Sequence, residues 1–189
     1  MKQEILYFEK KGKENTEATI KIALKRAEEL GIKTFVMAST RGHTAEKFLK
    51  LAPKNVKAIV VTHQAGFKKK GEIEMSDEMK KKLIDAGMEL LTSTHALSGV
   101  GRGISKKFEG VSSPEIIAHT LRLFSQGMKV CAEIAVMAAD AGIIVMDEEI
   151  MTIGGTGRGA DTAAVVKPIH SFSFFDLDIK EILTMPRNK

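Results

Sequence analysis

The feature that most constrains the fold is a short apolar run that leads into a polar loop and a helix start. Residues 35–38 are apolar, and the polar residues that follow them are Ser39, Thr40, Arg41, Gly42, His43 and Thr44. An apolar run of this length that ends at a turn signal predicts a buried strand. A helix that begins near Thr44 would point its free amide groups and its positive dipole end into the loop.

The loop has the chemistry of an anion site. Ser39, Thr40 and Thr44 supply hydroxyl groups and Arg41 supplies a fixed positive charge, while Gly42 lets the backbone approach a ligand closely. Such donors at a helix N-terminus suit a phosphate group. The same residues also fit an ordinary connection between a strand and a helix, with Thr44 as the capping residue. No Walker A motif is present, because no Gly-Lys-Ser/Thr follows the glycine.

Length and composition predict a single domain in the cytoplasm. The chain has 189 residues, enough for one full hydrophobic core. It has no run of about 18 apolar residues, and residues 1–4 lack the apolar core of a signal peptide, so we expect no membrane association. The single cysteine, Cys131, has apolar neighbours, which predicts a buried and unreactive thiol in a reducing compartment.

The basic charge of the chain does not by itself predict nucleic-acid binding. The net charge is +5, but the lysine runs at 68–70 and 80–82 lie beside Glu72, Glu74 and Asp77. We therefore expect solvated, ion-paired surfaces and no nucleic-acid partner. Abundant Lys and Glu with few Asn and Gln are typical of a thermophilic source.

Strands and helices alternate along the chain. The predicted strands cover 4–9, 32–38, 56–62, 88–94, 150–153, 163–167 and 172–175. The predicted helices cover 16–31, 44–51, 76–87 and a long segment, 113–141, with a possible break at Gly127, and a helical turn is expected at 178–183. This alternation predicts an α/β fold with a mainly parallel sheet between two helical layers, a three-layer α/β/α arrangement.

The loops after the predicted parallel strands share one chemistry. Residues 39–44, 62–67, 94–103 and 154–162 are rich in Gly, Ser, Thr, His and Arg. Because the carboxyl ends of parallel strands meet at one edge of the sheet, we expect a ligand site there. His63 and His95 lie in these loops and are the candidate acid–base residues, although ligand hydrogen bonding or plain loop structure would also explain them. No histidine or cysteine spacing predicts a metal site.

The sequence resembles the C-terminal α/β domain of pyruvate kinase. Segments 16–31 and 33–38 and the loop at 39–45 are similar to a helix, a strand and the phosphate loop of that domain. Segment 154–166 is similar to its closing glycine-rich loop and antiparallel edge hairpin. The order and separation of these two loops carry the resemblance. It implies one domain over 1–189, with insertions near 63–75 and 95–113.

The resemblance also implies a ligand. In that family the first loop grips a phosphate of an allosteric sugar bisphosphate, and the closing loop folds over it. The chain looks most like the stand-alone, mainly archaeal members of the family. This resemblance implies that it binds a phosphate-bearing nucleotide, with flavin mononucleotide (FMN) as the first candidate. A sugar phosphate or free phosphate is the alternative. The resulting candidate binding residues are Ser39, Thr40, Arg41, Gly42, His43, Thr44, Thr62, His63, Gln64, Thr94, His95, Gly154, Gly155, Thr156, Gly157 and Arg158.

Three functions stay open from the sequence. The chain could be a binding protein for a phosphorylated ligand, or an enzyme that uses the same site, such as a flavin-dependent oxidoreductase. It could also be a sugar-phosphate-sensing regulatory or oligomerisation module, which would make it a homo-oligomer. The catalytic barrel of pyruvate kinase has no counterpart in these residues, so we expect no pyruvate kinase activity from them alone.

Overall fold

The computed structural model describes residues 2–188 as one seven-stranded sheet with helices on both faces. The strands are β1 (Leu6–Phe8), β2 (Thr34–Ala38), β3 (Lys57–Val61), β4 (Glu89–Leu91), β5 (Ile150–Gly154), β6 (Thr162–Lys167) and β7 (Asp178–Pro186). The helices are α1 (Thr16–Leu30), α2 (His43–Leu51), α3 (Asp77–Asp85), α4 (Gly99–Phe108), α5 (Ser113–Leu121) and α6 (Gln126–Asp140). Short 3-10 helices cover Lys13–Asn15 and Ser171–Asp176.

The strand order is β1-β7-β6-β5-β2-β3-β4, and β6 alone runs against the other described strands. The mainly parallel α/β fold with an antiparallel pair is therefore confirmed. The β5–β6 hairpin lies between β7 and β2, so it is inside the sheet rather than at its edge. The prediction missed this position because β7 was not recognised as a strand.

Two cores hold the three layers together, one on each face of the sheet. Along β2, Phe35 and Met37 face the core beneath α1 and α2, whereas Val36 faces the core beneath α6. This alternation is the consequence of the two-residue period of a strand. Because both faces are covered, all three side chains are fully buried, and the strand is apolar from residue 35 to residue 38.

Local sequence signals positioned the helix ends correctly. Gly31 follows α1 in the left-handed conformation, with φ at +72°, as a helix-terminating glycine does. Ser76 caps α3, and its Oγ accepts a hydrogen bond from Met79 N at 3.2 Å. At α5 the cap is Ser112, one residue before the predicted position, and it forms a capping box with Glu115.

Four predicted elements differ from the structure. The long helix at 113–141 is two helices, because the chain breaks at 122–125, before Gly127, and the Oγ of Ser125 caps α6 by accepting a hydrogen bond from Met128 N. Residues 172–175 are a 3-10 helix, not a strand, and 178–183 belong to β7, not to a helical turn. Residues 99–103, expected as loop, begin α4. Pairing with β6 and β1 decides the state of β7, and no local pattern reveals such pairing.

Two further expectations concern the thiol and the membrane. The thiol of Cys131 is fully buried, as predicted, and burial raises its pKa to about 12. Among residues 2–188, none of the helices combines the length and the apolar character that crossing a bilayer requires.

Replacing Phe35 with Ala should lower the free energy of unfolding by about 3–5 kcal/mol, because it leaves a cavity beneath α1 and α2. The Phe35 ring is fully buried, and its centroid lies 5.0 Å from that of Phe48. Urea denaturation measures the change. Phe172→Ala is the control, since the Phe172 side chain is 88% exposed and its loss should cost no more than about 0.5 kcal/mol. Equal effects of the two substitutions would contradict the assigned core.

Candidate functional site

The predicted binding loops meet at the edge of the sheet where the parallel strands end. The backbone N–H of Ser39 donates to the carbonyl of Val61 at 3.0 Å, and that of Thr62 donates to the carbonyl of Leu91 at 2.9 Å. The chain segments that leave β2, β3 and β4 are thus hydrogen-bonded side by side. We call this region the strand-end edge. It also includes the closing loop, residues 154–162, which leaves β5.

In the 39–44 loop, the hydroxyl of Ser39 rather than that of Thr44 accepts hydrogen bonds from backbone amides at the start of α2. The Oγ of Ser39 accepts hydrogen bonds from Thr44 N at 3.1 Å and from Ala45 N at 3.3 Å, and Gly42 is the capping residue. Both amides are among those that the sequence assigned to a phosphate. An anion at this helix start would therefore share these donors with the Ser39 hydroxyl or displace it.

Arg41 lies at the border of this loop and points toward a carboxylate. Its Nη2 is 3.4 Å from the Oε1 of Glu74, while the Arg41 side chain remains 66% exposed. Glu74 belongs to the polar segment 63–75, which the sequence analysis treated as an insertion. Arg41 therefore connects the expected phosphate loop to that segment. To reach a ligand it would have to break its ion pair with Glu74, which is weak because Arg41 is exposed.

His43 belongs to the 39–44 loop, begins α2 and is close enough to Arg158 of the closing loop to be affected by its charge. Its Nε2 is buried and has no hydrogen-bond partner among the described residues. Burial, and then the positive charges of Lys47 and Arg158, lowers the pKa of His43, and Lys13 adds a smaller effect in the same direction. The structure thus brings the two predicted loops together around a neutral imidazole with cationic neighbours.

The closing loop is held by the buried carboxylate of Asp161. This carboxylate accepts hydrogen bonds from the Oγ1 of Thr162 at 2.9 Å, from Thr156 N at 3.2 Å and from Gly12 N at 3.4 Å. Gly159 packs against the 3-10 helix, where an added Cβ would lie 2.5 Å from the Cα of Lys13. The residues between these anchors, Gly157 and Arg158, are exposed. Only the tip of the loop is therefore free to meet a ligand.

A second group of predicted residues follows β3 and β4. The hydroxyls of Thr62 and Thr92 are 2.7 Å apart, and the Oε1 of Gln64 accepts a hydrogen bond from His95 N at 3.4 Å. The Nδ1 of His63 is 2.7 Å from the Oε2 of Glu74. The structure thus brings His63, Gln64 and His95 together. Thr94 is exposed and its methyl group lies against Gly99 instead.

Aromatic rings surround His63. The ring centroids of His63 and Phe67 are 4.0 Å apart, and the His95 centroid is 5.4 Å from both. Burial lowers the pKa of His95, and this effect outweighs the opposite effect of Glu133. The two candidate acid–base residues therefore lie in one polar–aromatic cluster at the strand-end edge.

Sequence reasoning missed a buried ion pair behind this cluster. Lys129 and Glu133, on successive turns of α6, are 5% and 4% exposed and form a salt bridge. The Oε1 of Glu133 also accepts a hydrogen bond from Leu97 N at 3.0 Å, which fixes the loop after β4 to α6. Two opposite charges four residues apart in an otherwise apolar helix are the signal that could have found them. Glu74 gave no such signal.

A pocket of about 220 Å³ lies beside the closing loop, between the end of β7 and the start of α6. Its lining residues are Lys11, Arg122, Ser125, Gln126, Thr156 and Pro186. Only Thr156 among them was a predicted site residue. Lys11 and Arg122 line this pocket, but most of the surface that faces it is apolar. Among residues 2–188, no group of three His, Cys, Asp or Glu side chains is arranged to hold a metal ion.

Comparison with known proteins gives the family. Residues 17–166 match the family model described as the pyruvate kinase alpha/beta domain. A solved structure of pyruvate kinase from Cryptosporidium parvum is similar to 82% of this chain, at 13% sequence identity and with a TM-score of 0.42. A structure of the pyruvate kinase from Cryptosporidium parvum in complex with ADP covers the same share, at 14% identity and with a TM-score of 0.42. The chain spans 23% and 24% of the length of those enzymes.

The two histidines with lowered pKa values should make the protein less stable in mild acid. The unfolded chain binds more protons than the folded chain below about pH 6.5, so the free energy of unfolding should fall from about pH 7.5 to about pH 5.5. His43→Gln should reduce this slope in urea denaturation. His119→Gln, at an exposed site on α5, should leave it unchanged. An unaltered slope in His43→Gln would refute the assignment.

Asp161→Ala should destabilise the protein by about 3 kcal/mol, because it leaves buried donors without their acceptor. The closing loop should also become sensitive to proteases that cleave after Arg158. Urea denaturation and limited trypsin digestion with mass spectrometry measure the two effects. Asp85→Ala removes an exposed carboxylate paired within α3 and should cost no more than about 0.5 kcal/mol. An intact, stable closing loop in Asp161→Ala would show that the carboxylate does not hold it.

Proposed function

Because the chain belongs to the family of pyruvate kinase α/β domains, we propose that it binds a small molecule with a phosphate group at the strand-end edge, with FMN as the first candidate. The phosphate lies between the 39–44 loop and the tip of the closing loop. We also propose, from the sequence, that the protein is cytoplasmic and comes from a thermophilic archaeal source.

The observation that carries the proposal is the state of His43. Its buried Nε2 lacks a hydrogen-bond partner among the described residues, and burial, followed by the charges of Lys47 and Arg158, lowers its pKa. A buried polar atom without a partner is costly, so its presence calls for an explanation. The Oγ1 of Thr19 in α1 is in the same state, whereas His43 also has cationic neighbours that would suit an anion. An anion between the loops would offset the cationic charges and accept a hydrogen bond from the protonated Nε2.

The remainder of the edge supports a ligand larger than a phosphate. The Thr62 and Thr92 hydroxyls and the Gln64 amide supply donors and acceptors, and Phe67 supplies a flat apolar surface. The ring system of FMN carries carbonyl groups and ring nitrogens that need such partners, and FMN would bring redox chemistry to the site. A sugar bisphosphate would use the phosphate loops but not the aromatic surface, and it is the second candidate.

Purified protein that retains FMN should show absorbance bands at about 370 and about 450 nm, and mass spectrometry should identify the molecule that heat releases. Protein that is purified colourless should be titrated with FMN, with riboflavin as the ligand that lacks the phosphate. We expect FMN to bind at least about tenfold more tightly than riboflavin, the equivalent of about 1.4 kcal/mol. Equal affinities for FMN and riboflavin would contradict the proposed contact between the protein and the phosphate.

Arg158→Ala and Arg41→Ala should each weaken FMN binding about tenfold, because each removes a cation from the phosphate loops. Lys54→Ala is the matched control, since it removes the same charge at the opposite edge of the sheet, between α2 and β3. Unchanged affinity in both arginine variants would overturn the phosphate position. If FMN does not bind, titration with fructose 1,6-bisphosphate tests the second candidate.

Whether the protein is an enzyme is a separate question with its own measurement. Reduction of bound FMN by a nicotinamide cofactor would identify a flavin-dependent oxidoreductase. A ligand-dependent change of mass in light scattering would instead support the regulatory or oligomerisation module.

A further inference from the structure

We infer that His63 and Glu74 form a proton-transfer site, in which Glu74 holds the imidazole and the Nε2 of His63 faces the ligand at the strand-end edge. The inference rests on the proposed function, because it assigns a chemical role to the half of the edge that does not bind the phosphate. His63 is the residue that exchanges the proton. Glu74 acts through His63 and is a positioning residue.

The contact between the two side chains orients the imidazole. The Nδ1 of His63 is 2.7 Å from the Oε2 of Glu74, whose side chain is 11% exposed. Burial raises the pKa of Glu74, but the hydrogen bonds from His63 and Lys68 outweigh it and the net pKa is lowered, so the carboxylate is ionised near neutral pH. An ionised carboxylate accepts the Nδ1–H and leaves the lone pair on Nε2.

Neighbouring rings fix the plane of the imidazole while Nε2 stays accessible. The Phe67 ring covers one side of the His63 ring, and His95 meets it edge-on. The His63 side chain is 34% exposed, and Nε2 has no hydrogen-bond partner among residues 2–188. A ring held in this way, with one nitrogen engaged and the other open, has the geometry of a general acid–base residue.

The carboxylate that holds His63 is shared with two cations. Lys68 Nζ and Arg41 Nη2 are each 3.4 Å from the Oε1 of Glu74, whereas the Oε2 of Glu74 contacts the imidazole.

The proposed step is a proton transfer without a change of oxidation state. An acidic O–H or N–H group of the ligand gives its proton to Nε2, and the electron pair of the broken bond stays on the ligand atom. The imidazolium returns the proton to the ligand or passes it to water. The ligand class is therefore a phosphate-bearing molecule that also has an ionisable O–H or N–H group. The imide of FMN has such an N–H, and in the resting complex it would donate a hydrogen bond to the unprotonated Nε2.

Arg41 links this site to the phosphate loop. The residue belongs to the 39–44 loop and its guanidinium contacts Glu74. A phosphate that attracts Arg41 leaves Glu74 more strongly engaged with His63, so ligand binding and proton uptake are coupled through one side chain.

Nitrogen-15 NMR of the protein labelled at histidine tests the inference. In its neutral form, His63 should show a protonated Nδ1 and an unprotonated Nε2. In Glu74→Ala the proton should shift to Nε2, the form that free histidine prefers. Glu72→Ala is the matched control, because it removes a carboxylate from the same segment that pairs with Lys69 instead. An unprotonated Nδ1 in the wild-type protein, or no change in Glu74→Ala, would overturn the role of Glu74.

Addition of FMN in the same experiment tests the ligand contact. The Nε2 resonance of His63 should move toward the protonated value in the wild-type protein and much less in Glu74→Ala, while that of His119 stays in place. FMN bound by absorbance with an unmoved Nε2 resonance would refute the proton-transfer site but leave the proposed function intact. If neither FMN nor fructose 1,6-bisphosphate binds, the proposed function fails, and the ligand role of His63 fails with it. The protonation of Nδ1 in the free protein still decides whether Glu74 positions His63.

Discussion

Strand β2 forms parallel ladders on both sides, with β3 and with β5, and the arrangement of the candidate site depends on this pairing. The ladders align the ends of the three strands, so the loops that follow them leave the sheet at the same level. Ser39 then bonds to the last residue of β3, and the closing loop begins one strand away on the other side. Loops separated by more than half the chain thereby share one edge.

Most polar groups at that edge are satisfied within the protein. Ser39 takes the first amides of α2, Asp161 takes the amides of the closing loop, and Glu74 takes the Nδ1 of His63. Burial makes such pairing necessary, since a lone polar atom costs more than an exposed one. The Nε2 of His43 is an exception, because it is buried and has no partner within the described residues. The His63 side chain is partly exposed, so its Nε2 can be hydrated.

The sequence predicted what depends on local signals. The apolar run before Ser39, the glycine after α1 and the cap of α3 each act within a few residues, and each was located correctly. Features that depend on distant partners were missed. The state of β7 is decided by β6 and β1, and the contact of Glu74 with His63 depends on how the 63–75 segment folds back. No pattern along the chain encodes these contacts.

Helix α4 has no buried residue, and its apolar side chains Val100 and Phe108 are 77% and 71% exposed. Its packing against α5 relies on Gly101 and on the hydrogen bond from Ser105 to Glu115. Opening this helix therefore uncovers little apolar surface, and we expect its free energy of local unfolding to be below that of the sheet. The backbone amides of α4, which follows Thr94 and His95, should then exchange with solvent without global unfolding.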